Sequence, residues 1–111
     1  MIENLQVVEK AEVKKALTHM KAKDFRLITI TAHVRDGKLE LTYALEGPDR
    51  GFAAVRTHYG LEEEIKSVQD IYMNAMLYEL EIVDIYDVKV ENCAPGLYLE
   101  PEKRGAFRRD V

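Results

Sequence analysis

The side chains that could do chemistry in this chain are three histidines, one cysteine and several close-set carboxylates. His19, His33 and His58 fall on a helix and two strands without the close spacing of a local zinc site, so they read as isolated histidines. Cys93, in Asn92-Cys93-Ala94-Pro95, has no second thiol at CxxC spacing and no basic helix terminus to lower its pKa, which marks an inert thiol. A single cysteine also excludes an intrachain disulfide and cannot by itself hold an iron–sulfur cluster, which takes four thiolates as a rule. Acid–base catalysis needs two carboxyls in different environments. Glu79, Glu81 and Asp84 instead point in three directions around a helix, with 79 and 81 nearly opposite. Glu62-Glu63-Glu64 reads as a solvated acidic loop that places negative charge near the start of the following helix. No GxGxxG, GxxxxGK[ST] or GxSxG pattern is present, so phosphate cradling and a nucleophile elbow have no support. Two polar groupings remain. Arg56, His58 and Tyr59 could line a small-ligand pocket, and Lys103, Arg104, Arg108 and Arg109 with Phe107 form a basic tail able to dock, since Arg makes bidentate pairs and Phe fills a pocket.

The chain that must position these groups has 111 residues, 47% hydrophobic and 32% charged, the composition of one ordinary globular domain with a single core. Twenty Asp and Glu against sixteen Lys and Arg leave a net charge of -4, which disfavours nucleic acid as a partner. Apolar stretches are far shorter than the roughly 20 residues that span a bilayer. Met1-Ile2-Glu3-Asn4 shows no charged-then-apolar leader pattern, so an intracellular protein is expected.

Val13, Ala16, Leu17 and Met20 recur at helical spacing between about Glu9 and Lys23, with Lys14, Lys15, Lys21 and Lys23 largely off that face. Leu5, Val7 and Val8 before it are enough for a short edge strand or for packing on the helix start. Ile28, Ile30, Ala32 and Val34 alternate with polar residues, as do Leu39, Leu41, Tyr43 and Leu45, and Asp36-Gly37 between them predicts a tight hairpin. A third antiparallel strand follows over Phe52 to Tyr59, with Ala53, Val55 and Tyr59 on one side. A long helix is expected from about Val68 to Ile85, capped by Ser67. It has two apolar arcs, Ile71, Ala75, Tyr78, Ile82 and Ile85 on one and Met73, Met76, Leu77, Leu80 and Val83 on the other. One arc suffices to cover a small sheet, so the second is either more core or an interface. Val88-Lys89-Val90 reads as a short extended piece before a loop-rich end. The expected fold is α+β: an antiparallel sheet of three to four strands against an N-terminal helix and a long second helix, with an irregular C-terminal tail. Residues 1–102 form the domain and 103–111 the basic docking tail.

The stretch from Ser67 to Val88 resembles the signature helix of the 30 kDa subunit of respiratory complex I. The matching positions are Ser67, Asp70, Tyr72, Ala75, Tyr78, Glu79, Glu81, Asp84, Tyr86 and Val88. Leu97 to Glu102 is similar to that family's Leu-Leu-Pro-Glu-Asp segment, and Gly105 with Arg108-Arg109-Asp110 to its closing Gly-x-Pro-Leu-Arg-Lys-Asp. Leu80, Met73 and Asp87 stand where the family usually has Arg, Pro and Gly. These departures and the short length look most like the equivalent small subunit of Ech-type energy-converting hydrogenases. The resemblance implies a non-catalytic subunit that binds no cofactor of its own. It would pack against the nickel-iron hydrogenase-like large subunit and the small iron–sulfur subunit, in the hydrophilic arm of a membrane-bound NADH dehydrogenase or hydrogenase. Membrane association would come only through the complex, peripheral to the cytoplasmic membrane. The implied interface is Asp70, Tyr72, Tyr78, Glu79, Glu81, Asp84, Tyr86, Arg108, Arg109 and Asp110. The unsatisfied apolar arc leaves room for a homodimer of the isolated chain. The alternative is a stand-alone small-ligand-binding α+β domain with an enclosed pocket near Arg56, His58 and Tyr59.

Overall fold

The computed structural model describes residues 4–93. In chain order these form β1 (Asn4–Val7), α1 (Val13–Ala22), β2 (Arg26–Arg35), β3 (Lys38–Glu46), β4 (Phe52–Gly60), β5 (Glu64–Ile65), α2 (Ala75–Tyr86) and β6 (Lys89–Val90). Asp36 and Gly37 adopt φ angles of 53° and 74°, which a two-residue hairpin turn needs, and so set the expected pairing of β2 with β3. β4 adds to β3 antiparallel, with Leu39 opposite Tyr59 and Tyr43 opposite Val55.

The sheet order is β1-β4-β3-β2, and β1 runs parallel to β4, so the sheet is mixed rather than wholly antiparallel. α1 carries the chain back after β1. Two further reversals then leave β4 running the same way as β1, next to which it lies.

Register sorts the sheet's residues onto two faces. Leu39, Leu41, Tyr43 and Leu45 of β3, with Val55 and Tyr59 of β4, are buried against Val13 and Leu17 of α1 and Ala75, Ile82 and Val83 of α2. Fully burying each such large side chain contributes about 1.5–3 kcal/mol. The opposite face carries His33, Glu40, Thr42, Arg56 and His58. Both helices therefore cover one face of the sheet, as an α+β domain of two layers requires.

Two expectations change. Ile28 should point inward by alternation, yet it is exposed and Leu27 is buried in its place. The reason is a β-bulge: Leu27 pairs with Leu45 and Thr29 with Ala44, so Ile28 is the extra residue and the parity of the strand shifts there. The long helix, moreover, does not begin at Val68. Residues 68–74 form successive turns, with the Ile71 and Tyr72 amides donating to the Val68 carbonyl, and the helix starts at Ala75. β5 and β6 pair in parallel beyond it, which uses the short extended piece read at Val88 to Val90.

Candidate interaction site

An edge strand leaves every second carbonyl pointing away from the sheet, and β2 is such an edge. The segment carrying the signature pattern supplies the missing donors. Tyr72 Oη donates to the Phe25 carbonyl at 2.7 Å, Asn74 Nδ2 to Leu27 at 2.9 Å, Tyr78 Oη to Ile28 at 2.7 Å and Tyr86 Oη to Ala32 at 2.8 Å. Two of these acceptors, Leu27 and Ile28, lie at the bulge, where ladder pairing fails. Burial of the rings pushes the Tyr72 and Tyr86 phenols up, with the Glu81 charge adding to the shift at Tyr86. Those two phenols thus stay hydrogen-bond donors throughout the neutral range. Tyr78→Phe is expected to cost about 0.5–1.5 kcal/mol, and Asn74→Ala a similar amount. Urea titration reads both losses, and amide exchange at 26–32 should quicken in each variant.

Within α2, Glu79 is buried at 3% exposure and holds the preceding loop. Its Oε1 accepts from Ser67 Oγ at 2.7 Å and from Gln69 Nε2 at 2.9 Å, and its Oε2 accepts from the Val68 amide at 2.9 Å. Ser67 Oγ in turn accepts from the Gln69 amide at 3.2 Å. Cys93 Sγ lies 3.9 Å from Glu79 Oε1 and accepts from Gln69 Nε2 at 3.3 Å. Burial pushes the Cys93 thiol up, and the Glu79 charge adds to this, so the thiolate is disfavoured and the reading of an inert cysteine fits its surroundings.

Outward from α2 stands an apolar strip. Met76 and Leu77 in the first turn of the helix are 45% and 55% exposed, and Met73, in the turn just before it, is 85% exposed. Ile28 is exposed as well, and its carbonyl is bound by Tyr78 of α2. The second apolar arc is therefore divided, since Val83 is buried in the core whereas the methionines and Leu77 face solvent. Asp70 is also exposed and pairs with Lys14 of α1 at 2.8 Å, which holds the Asp70 carboxyl below its usual range and the Lys14 ammonium above its own.

The residues singled out for a partner thus separate. Asp70 and Glu81 are exposed, and Tyr78 and Tyr86 are half-buried with their hydroxyls used inside the chain. Tyr72, Glu79 and Asp84 are buried in this chain's own interior. The polar ends of Tyr72 and Glu79 bond within this chain, to the Phe25 carbonyl and to the 67–69 loop. Arg108, Arg109, Asp110 and the rest of the 103–111 tail lie outside the described residues. Ser67, Gln69 and Asn74 do positioning work that spacing alone did not reveal.

The ligand-pocket grouping also separates. Arg56 and His58 lie on the open sheet face and share Glu40, at 3.4 and 3.5 Å, and Arg56 Nε donates to Thr42 Oγ1 at 2.9 Å. Tyr59 is one residue out of phase with them and buried on the other face. Among the described residues no group of three His, Cys, Asp or Glu is placed to hold a metal ion, and no helix is long and apolar enough to cross a membrane.

Residues 6–102 match the family described as respiratory-chain NADH dehydrogenase, 30 Kd subunit. Among solved structures, a chain of the membrane-bound sulfane sulfur reductase, an archaeal respiratory membrane complex, superposes with a TM-score of 0.82 at 25% identity. The match covers 96% of this chain and 68% of that one. No curated protein matches the chain in sequence. A match over most of the length, on a fold whose β2 edge is closed by Tyr72, Tyr78 and Tyr86, places the chain in the family of the 30 kDa subunit of respiratory-chain NADH dehydrogenase.

Proposed function

We propose that the chain is a non-catalytic assembly subunit in the hydrophilic arm of a membrane-bound complex I-like NADH dehydrogenase or energy-converting hydrogenase, docking on the nickel-iron hydrogenase-like large subunit. The observation that carries this reading is the exposure of Met73, Met76 and Leu77, in the first turn of α2 and the turn just before it, within the segment that also bears the family's pattern. Large apolar side chains left in water close together are a common mark of a protein interface, and methionine is enriched at such surfaces. Asp70 and Glu81 supply a charged rim, the basic segment 103–111 a second point of attachment, and residues 1–102 act as one domain. On this reading the protein binds no cofactor, neighbours the small iron–sulfur subunit and is peripheral to the cytoplasmic face of the membrane.

Leu77→Glu tests the reading. Folding stability should stay within about 0.5 kcal/mol, because the side chain is exposed. Recovery of the hydrogenase-like large subunit with the tagged chain from native membranes should fall about tenfold or more, the effect of charging a well-packed interface position. Undiminished recovery with both Met76→Glu and Leu77→Glu would sink the proposed docking face.

A further inference from the structure

The far edge of the sheet poses a separate demand. In a parallel pair, residues whose amide and carbonyl point at the neighbour alternate with residues whose groups point away. The Val8 amide donates to the Arg56 carbonyl at 2.9 Å, so the even-numbered residues of β1 face β4 and the backbone groups of Leu5 and Val7 face outward. Among the described residues nothing pairs with those groups. Leu5 and Val7 also share the open face of the sheet, 45% and 62% exposed, close to exposed Phe52. Unlike β2, this edge has no tyrosine ladder, bulge, proline or lysine to blunt it.

We infer that β1 pairs antiparallel with β1 of a second copy of this chain, about a two-fold axis through Gln6. The register is fixed by the alternation. Leu5 opposite Val7 of the second copy, and Val7 opposite its Leu5, are both hydrogen-bonded pairs. Together they exchange four bonds and leave no outward group of these residues over. The same register sets Leu5 and Val7 of one copy beside Val7 and Leu5 of the other on a single face, as directly opposed residues must be. A shift by one residue would set apolar against polar faces and misalign the donors, so the pairing specifies itself.

The helices allow it. α1 packs over β4, and the two β4 strands would stand three strand spacings apart, about 14 Å, wider than the roughly 8–10 Å at which helices pack. Between them lies the open groove of about 500 Å³ beside β1, lined by Gln6, Glu9, Glu12, Lys15 and His19 among others. It carries charges of both signs. The edge used is the opposite one from β2 and α2, so this pairing neither rests on the docking reading nor competes with it.

Sedimentation equilibrium of the full chain from about 10 μM to about 1 mM tests the inference, since a four-residue edge contact gives a weak dimer. Leu5→Pro removes an outward amide while sparing those that face β4, and proline is tolerated on an edge with that geometry. This variant should raise the dissociation constant at least tenfold without loss of fold. Val7→Lys should do the same by charging the shared apolar face. A wild-type chain that stays monomeric at the highest concentration overturns the inference. So does a dimer indifferent to both variants, or one abolished by Leu77→Glu alone, which would place the contact on α2.

Discussion

Replacing Glu79 by alanine is expected to lower folding stability by roughly 3–5 kcal/mol, the cost of breaking a buried charged hydrogen-bond network by removing one partner. The carboxylate accepts from Ser67 Oγ, Gln69 Nε2 and the Val68 amide, and the truncation strands the three donors around an empty site. For a domain whose total stability is about 5–15 kcal/mol, such a loss shows as a large drop in urea midpoint. Glu79→Gln separates charge from shape. Its amide keeps one carbonyl oxygen but must turn an NH2 toward a donor, whether Ser67 and Gln69 or the Val68 amide, so it should lose about 1.5–3 kcal/mol. Ser67→Ala alone should cost less, because the carboxylate keeps its other two donors, and the double variant with Glu79→Ala should be less than additive. A loss below about 1 kcal/mol in Glu79→Ala would show that water replaces the carboxylate and that the loop is held by other means.

That same side chain shows where the sequence stopped being legible. Ile71 and Ala75 keep helical spacing, so periodicity carried the helix back to Val68. In a continuous helix Val68 and Glu79 would stand about 16 Å apart along the axis, beyond the reach of any glutamate. The bond between them exists only because the chain folds back at 68–74, and a tertiary contact of this kind leaves no local periodic trace. The hairpin was readable because its cause is local, in the φ angles of Asp36 and Gly37. The bulge was not, since alternation in β2 is satisfied equally well by Ile28 or Leu27 until a partner strand selects one. Within the family pattern, Tyr72 and Tyr78 close the β2 edge and Glu79 anchors the loop. A signal was available: acids set among Ile and Val in the run Glu79 to Ile85 cannot all face solvent if the helix is buried on one side.

Raising the pH through 10 to 11 is expected to destabilise the protein steeply, with Tyr43 as the largest contributor. Tyr43 sits mid-strand in β3, 1% exposed, opposite Ile30 and Val55. Burial pushes its phenol far above the ordinary value near 10, and the neighbouring Tyr59 and the Glu79 charge push the same way. Below pH 10 the phenol is neutral folded or unfolded, so its contribution is fully present. Above that point the unfolded chain gives up a proton that the folded chain keeps, and stability falls by about 1.4 kcal/mol per pH unit until the folded group itself ionises. Tyr59, Tyr72 and Tyr86 shift in the same direction, chiefly through burial, and steepen the decline. Tyr43→Phe removes this group alone. Its urea midpoint should stay closer to its neutral-pH value at pH 11, narrowing the alkaline loss by about 1.4 kcal/mol relative to the parent chain. If the two proteins lose stability in parallel between pH 9 and 11, ionisation of Tyr43 is not what opens the core.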